Sequence, residues 1–386
     1  MTPPITGRVL VEDRCLANRG GGIKTYTRQI FNYWPANSPL RLVGFRSRVL
    51  NGAADPAHAP PAQAPALRPL SRLFDHAAIP RDPSTGLRLL LRGYQTAFAL
   101  EARFGRYAAA FHPNHLCPPA HLPTVATMHD LSVLENPDWH TPERVARWER
   151  TLPLALRDTR HWITVSAFTR DRMHARLDIP LDRITIIPEA ARALPAGPRP
   201  ANFPERYLLF VGTLEPRKNL LTLFDAFAHL SPAQRRQLPL VLIGPPGWGS
   251  EHFWRTLTSH PLAPEILVSG YLPETDVGAA LAHASALLLP SLYEGFGLPL
   301  LEAMAAACPV ICSDIPPFHE VAQDAALMLP PLDVAAWSDA MRRAAEDLPW
   351  RHTLIAAGSD RVRQFSWQAA AQRHAELLTR IATENA

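Results

Sequence analysis

Residues 287–314 read LLLPSLYEGFGLPLLEAMAAACPVICSD, and this stretch decides the fold. The apolar run from Ala286 to Leu289 stops at Pro290 and predicts a buried strand. Gly295 and Gly297 follow in a loop. Pro299 then opens a run of helix formers, Leu300 to Ala307; a proline is tolerated in a first helical turn because the N–H it lacks has no partner there. Pro309 ends the helix, and Val310 to Cys312 begins another apolar strand. Strand, glycine loop, helix and strand make the crossover unit of a parallel sheet. The helix opens beside flexible glycines, so free backbone N–H groups and the positive end of the helix dipole can meet an anion. Two acids flank that point, Glu294 in the loop and Glu302 one turn inside the helix.

The chain has 386 residues, the length of two or three ordinary domains. Its apolar share of 47% allows sizeable cores, and its charged share of 19% lies below the usual quarter or so. A net charge of +4 is too mild to argue for nucleic acid, and it suits an anionic ligand or an acidic membrane surface. Cys15, Cys117, Cys308 and Cys312 form no C-x-x-C pair and read as reduced core thiols. No basic segment with an apolar one after it opens the sequence, and no apolar run reaches about 18 residues. A soluble cytoplasmic chain is expected.

Working outward, a first strand at Val9 to Val11 leads to Gly20, Gly21 and Gly22, then to a helix carrying Tyr26, Ile30 and Phe31. The triplet reads either as a phosphate-facing turn or as a plain flexible one. The G-x-G-x-x-G dinucleotide fingerprint is absent, since Thr25 fills its last position. Residues 52–70 are rich in Ala and Pro and predict a poorly ordered loop. Leu87 to Arg106 predicts a helix with Arg88, Arg92, Arg103 and Arg106 among apolar residues, either a half-buried helix or a membrane contact. Thr124 to Met128 predicts a strand ending at His129 and Asp130, the end at which open α/β sheets place ligands. Residues 189–204 read as a Pro/Ala-rich linker. Beyond them a second series of strands (Tyr207 to Val211, Leu240 to Ile243, Ile266 to Ser269) alternates with helices. The pattern predicts two α/β domains of Rossmann type facing a cleft: residues 1–195, then 196–365, with a terminal helix over 366–386 capped by Ser366.

Arg217 and Lys218 follow the first strand of the second half. Arg grips a diphosphate with two prongs and Lys acts as a point charge, and fixed positive groups stabilise a diphosphate as it leaves carbon. Glu294 and Glu302 are poor candidates for a hydrolase acid/base pair, because one precedes the helix and the other lies within it. Beside a diphosphate they read better as hydroxyl-binding acids, one for a sugar and one for a ribose. No D-x-D triplet is present to hold a metal-bound diphosphate, so a metal-independent site is expected.

Glu294-Gly-Phe-Gly-Leu-Pro-Leu-Leu-Glu302 resembles the E-x7-E motif of the retaining glycosyltransferases of family 4, which have the GT-B fold. VGTLEPRKNL (Val211 to Leu220), MHDLSVLENPDWHTP (Met128 to Pro142), VSAFTRDRM and the terminal FSW helix are similar to the same family, as is the stretch from Gly20 to Tyr26. The resemblance is greatest to mannosyltransferases that build bacterial O-antigen and exopolysaccharide chains. It implies that Glu294 contacts the donor sugar, Glu302 the ribose, and Arg217 and Lys218 the diphosphate. It implies backbone support from Phe296, Gly297 and Leu298, closure over the diphosphate at Gly21 and Gly22, and His129 beside the transferred sugar. Thr213 stands where many relatives carry Arg, and Tyr271 lies in the loop expected near the base. The terminal helix would cross back to the first domain. The donor expected is GDP-mannose, with no further cofactor; the partner is a lipid-linked or growing glycan, with peripheral membrane contact and no nucleic acid. A UDP-sugar or rhamnosyl transferase of the same fold, a nucleotide-sugar epimerase or phosphorylase, and a non-catalytic binding protein remain alternatives. Glu189 and Ala190 replace the Asn-Gly found in many relatives.

Overall fold

The computed structural model describes residues 7–17, 21–45, 68–69, 85–115, 118–195, 197–249 and 251–384. Its strands, in chain order, are β1 (Gly7–Val11), β2 (Leu40–Gly44), β3 (Arg68–Pro69), β4 (Ala109–His112), β5 (Thr124–Met128), β6 (His161–Thr164), β7 (Ile184–Ile186), β8 (Leu208–Val211), β9 (Leu240–Ile243), β10 (Leu267–Gly270), β11 (Ala286–Leu289), β12 (Val310–Ser313) and β13 (Leu327–Leu329). They build two sheets, ordered β2-β1-β4-β5-β6-β7 and β13-β12-β11-β8-β9-β10-β3. Every pairing is parallel except that of β3 with β10. The result is the two-domain α/β architecture of the GT-B fold, built from crossover helices because parallel neighbours cannot be joined by tight turns.

The opening stretch forms the expected unit. β11 pairs in parallel with β12, and the helix Leu298–Ala305 joins them. Leu287, Leu288, Leu300 and Leu301 are buried in one core with β8 and β9, which is why both strands are apolar throughout. The helix begins at Leu298, one residue before the proline, and ends at Ala305. Gly297, at φ +110°, is its N-cap, and a Cβ there would lie 2.7 Å from the Phe318 ring.

The terminal helix Trp367–Thr383 packs on the first domain: Trp367, Ala371 and Leu378 share a core with Val9, Phe111 and Ile163. Ser366 accepts from the Ala369 N–H and caps it. Three expectations need correction. The Ala/Pro-rich stretch 52–70 ends in a strand, since β3 adds to the edge of the second sheet; residues 52–67 and 70 lie outside the described residues. Among its described residues the linker 189–204 has no helix or strand, yet Glu189 and Ala190 are buried and Arg192 reaches into the cleft. The helix Leu348–Val362 is additional: Pro349 sits in its first turn, and Gly358 lets it approach Met304, whose Cγ would be 3.0 Å from a Cβ.

The arginine-bearing helix spans Thr85–Phe104. Phe98 and Ala102 face the core, while Leu100 and Phe104 are exposed. The side chains of Arg88 and Arg92 lie outside the described residues, as do Gly20 and Cys117. Cys308 and Cys312 are buried free thiols, and Cys15 shares a hydrogen bond with Thr27. Among the described residues no helix is long and apolar enough to cross a membrane.

Candidate active site

The carboxyl ends of both sheets meet at a cleft. β8 ends there at Gly212-Thr213, and a short turn of 3₁₀ helix, Pro216–Lys218, presents Arg217 and Lys218. Across from it, the loop after β11 presents Glu294. Arg217 Nη1 donates to Glu294 Oε2 at 2.7 Å and to the Tyr293 carbonyl at 3.1 Å. Lys218 Nζ donates to Glu294 Oε1 at 2.5 Å, and Ser291 Oγ donates to the same oxygen at 2.8 Å. Burial alone would push the Glu294 carboxyl up. Lys218 and Arg217 more than offset this and hold it at about 2. Burial opposes the charge on Arg217, but Glu215, Glu294 and Asp130 raise its pKa further, so it stays a cation. Arg217 and Lys218 therefore form one ion-paired cluster with Glu294, where the sequence had shown two cations beside separate acids.

Glu215 sharpens the balance. Its side chain is buried against Arg217 and its Oε2 has no partner. Burial raises its pKa, with Arg217 and Lys218 pulling the other way and Glu294 pushing up. Arg217 and Lys218 thus meet the ionised Glu294 and Asp130 and the less readily ionised Glu215, beside the helix N-terminus at Leu298, whose free N–H groups and dipole favour an anion.

Glu302 points from that helix into the same cleft and is 2% exposed. Its oxygen accepts from Arg192 Nε, and Arg192 Nη1 also donates to Glu274 at 3.1 Å. Glu274 pairs in turn with Arg28 from the helix Gly22–Asn32 of the first domain. A chain of charges thus runs from the first domain to Glu302 through two residues that sequence reasoning missed. Their signal was weak: one basic residue in a Pro/Ala-rich segment and one acid in a first helical turn.

The first domain contributes His129, at the end of β5. Its Nε2 lies 2.9 Å from the Pro113 carbonyl and its Nδ1 lies 3.7 Å from Glu189 Oε1. Tyr26 packs edge-on to the ring at 4.8 Å between centroids. The Tyr26 hydroxyl lies 2.6 Å from His374 Nε2 of the terminal helix and 2.9 Å from Thr127 Oγ1. Burial lowers the pKa of His129, with Pro113 and Asp130 acting the other way. Asp130 is held at about 2: burial raises it, but Arg217 and the Ser132 N–H outweigh that. The cleft is closed here. A Cβ on Gly295 would lie 1.9 Å from the His129 carbonyl oxygen, and Ser166 Oγ donates to the Gly295 carbonyl at 2.6 Å. Ala167 and Phe168, opening the helix Ala167–Leu177, both donate N–H groups to Glu320 at 2.7 Å, an acid at a helix N-terminus.

Gly21, at φ +114°, caps the helix that carries Tyr26, and a Cβ on Gly21 or Gly22 would meet nothing within 4 Å. Both leave open space. Phe296 is buried against Phe365, and Leu298 sits in the core shared with the first domain. Thr213 follows Gly212 and crowds Gly247, where a Cβ would lie 2.4 Å from Thr213 Cγ2. Tyr271 is exposed, just after Gly270 at φ +71°. The structure also brings Trp248 of the second domain onto the Arg144 guanidinium (4.0 Å) and the His140 ring (5.6 Å), a cross-cleft contact the sequence did not reveal. Among the described residues, no three His, Cys, Asp or Glu side chains are grouped to hold a metal ion.

Comparisons with known proteins agree with this geometry. Residues 20–191 match the model of Glycosyltransferase Family 4, and residues 198–361 that of Glycosyl transferases group 1. O-antigen chain mannosyltransferase B of Escherichia coli is 35% identical over 266 residues, covering 66% of this chain and 70% of that protein. O-antigen chain mannosyltransferase RfbU of Salmonella typhimurium is 26% identical over 256 residues, with the same coverage of 66% and 70%. Among solved structures, sucrose-phosphate synthase from Thermosynechococcus elongatus superposes with a TM-score of 0.70 at 21% identity, over 98% of this chain and 99% of that one.

Proposed function

This chain belongs to the group 1 glycosyl transferases of glycosyltransferase family 4, and from that premise we propose that it transfers mannose from GDP-mannose, with retention of configuration, to a lipid-linked or growing glycan of a bacterial surface polysaccharide. The observation that carries the reading is the Lys218–Glu294–Arg217 cluster beside the helix that opens at Leu298. A diphosphate entering there meets two cations and free helix N–H groups, and the charge that develops as its bond to the sugar breaks falls on fixed positive groups. Glu294, held ionised, accepts from sugar hydroxyls with its remaining lone pairs. Glu302 takes the ribose hydroxyls once Arg192 shares it.

Retention follows from attack on the face the diphosphate leaves. The acceptor oxygen bonds to the anomeric carbon as the carbon–oxygen bond to phosphate breaks, and the departing phosphate oxygen takes the acceptor's proton. In this scheme no side chain becomes a nucleophile and no metal is required, because Arg217, Lys218 and the helix end hold the diphosphate. The mannosyl reading is supported by the O-antigen mannosyltransferases it resembles. Exposed Leu100 and Phe104 support a peripheral contact at the cytoplasmic membrane face, where a lipid-linked acceptor would be met.

The test is a thermal-shift panel of GDP-, UDP- and ADP-sugars followed by transfer assays with the donor that stabilises. GDP-mannose should raise the melting temperature most, EDTA should leave transfer unchanged, and the product should carry the donor's α configuration by NMR. Preference for a UDP-sugar or a rhamnosyl donor would replace the donor assignment and keep the reaction class. Conversion of the donor without an acceptor would favour an epimerase.

A further inference from the structure

Glu189 is the residue in the cleft that this reading does not use. It follows β7 and lies 5% exposed. Among the described residues its only neighbour at ion-pair distance is His129, whose Nδ1 lies 3.7 Å from Glu189 Oε1. No arginine or lysine pairs with it there, whereas Glu294 and Glu302 each have a basic partner.

The hydrogen bonds of His129 fix its tautomer. A carbonyl oxygen only accepts, so Nε2, 2.9 Å from the Pro113 carbonyl, carries the hydrogen. Nδ1 then presents a lone pair, and that lone pair faces Glu189. His129 is kept neutral by burial. A carboxylate opposite it would set lone pair against lone pair in a buried site, while a carboxylic acid would donate.

We propose that Glu189, as an uncharged acid, is a positioning residue for His129: its O–H donates to Nδ1 as the pair closes from 3.7 Å, fixing the ring with its N–H at Nε2. The inference rests on the reading of this cleft as the transfer site. The groups around the pair fit it. Glu302, on the helix Leu298–Ala305, is the like charge that bears on Glu189, and Arg192 donates to Glu302. Tyr26 closes on the ring edge from the helix Gly22–Asn32, and its hydroxyl donates away, to His374 Nε2, because His374 Nδ1 already donates to the Ala370 carbonyl at 2.7 Å. Asp130, the charged group beside His129 on its own strand end, is directed to Arg217 and the Ser132 N–H. His115, which also bears on the ring, is itself kept neutral by burial, and among the described residues Glu189 is the carboxyl within 4 Å of Nδ1.

Burial first, and Glu302 second, push the Glu189 carboxyl up to about 8. Its acid form is therefore present at neutral pH and lost as the pH rises through that value, taking the Nδ1 hydrogen bond with it.

The experiment compares wild type, Glu189→Gln and Glu189→Ala, each as the full chain. In wild type, kcat/KM should decline above pH about 8 by about one log unit per pH unit, as for loss of a single essential proton. Glu189→Gln, whose amide N–H can replace the acid, should recover activity lost in Glu189→Ala and should lack the alkaline decline. Glu189→Ala should lower kcat at least about tenfold with little change in donor KM. An unchanged alkaline limb in Glu189→Gln, or full kcat in Glu189→Ala, overturns the assignment. A readout that needs no turnover separates this from the function itself. With ¹⁵N-labelled histidine, identified by a His129→Asn spectrum, His129 should show a protonated Nε2 in all three proteins, with an unprotonated Nδ1 whose ¹⁵N shift is that of a hydrogen-bond acceptor in wild type and Glu189→Gln and of a free lone pair in Glu189→Ala. Protonation at Nδ1 in wild type, or the same Nδ1 shift in wild type and Glu189→Ala, overturns the proposal even where transfer is measured. The expected shifts in a protein that transfers no sugar would sustain the pair and reject the function.

Discussion

Arg217 Nη1 donates to Glu294 Oε2 at 2.7 Å across 77 residues of sequence, joining the ends of the neighbouring strands β8 and β11 of the second sheet in one charged cluster. Neither residue is informative alone: an arginine after a strand is ordinarily a solvated turn, and a glutamate before a helix an ordinary surface acid. Together, Arg217 and Lys218 keep the buried Glu294 ionised.

Removing Arg192 tests how the second acid is held. Glu302 is buried with Arg192 as its basic partner. Arg192→Ala should cost about 3–5 kcal/mol, the range for breaking one side of a buried pair, read as a lower urea midpoint at unchanged slope. Arg192→Ala/Glu302→Gln should recover most of that loss. Equal losses in the single and double variants would show that the pair is not what holds the segment.

Acid stability follows from Glu294. Its folded pKa of about 2 lies below the ordinary 4.5, so its contribution is complete above the unfolded value and disappears as pH falls through the folded one. The size is roughly 3 kcal/mol for a depression of this order. Asp130, also held at about 2, adds in the same direction. Between pH 5 and pH 2 the melting temperature of wild type should fall more steeply than that of Glu294→Gln, which has no such proton to gain. Parallel curves would remove Glu294 from the account.

Gly295 tests the closed cleft. A Cβ there would lie 1.9 Å from the His129 carbonyl oxygen, a backbone atom that cannot rotate away. Gly295→Ala should fold, with near-native circular dichroism, but the two domains should stand further apart. Transfer should fall by about 10²-fold, as expected when reacting groups are misplaced by about 1 Å. Wild-type transfer would mean that the closed contact is not the productive one.

Much of this was legible in the sequence, for reasons that differ by residue. β5, β9 and β11 have the bounds their apolar runs gave, because each is bounded by a polar or turn residue. The glycine loop and its helix were legible because Gly297 and Pro299 mark a helix start chemically. The helix Leu348–Val362 escaped because Pro349 and Gly358 read as breakers; one sits where no N–H is needed, and the other is kept small by Met304. Arg192 escaped because burial of a charge depends on partners far along the chain. Nothing local distinguishes the Arg192 that meets Glu302 from an arginine in a solvated linker. The resemblance to relatives brought out Glu189 as a departure, and only the fold shows that it faces His129.

The most direct measurement of the central claim is mass-detected sugar transfer from GDP-mannose to a lipid-linked glycan by wild type, Glu294→Ala and Lys218→Ala. Wild type should transfer one mannose per acceptor. Each variant should lose at least about 10²-fold in kcat/KM, the scale for removing a group that stabilises developing charge, while its circular dichroism remains that of a folded protein. Full transfer by both variants would contradict the account, because the cluster that Glu294 and Lys218 form would then have no part in the reaction.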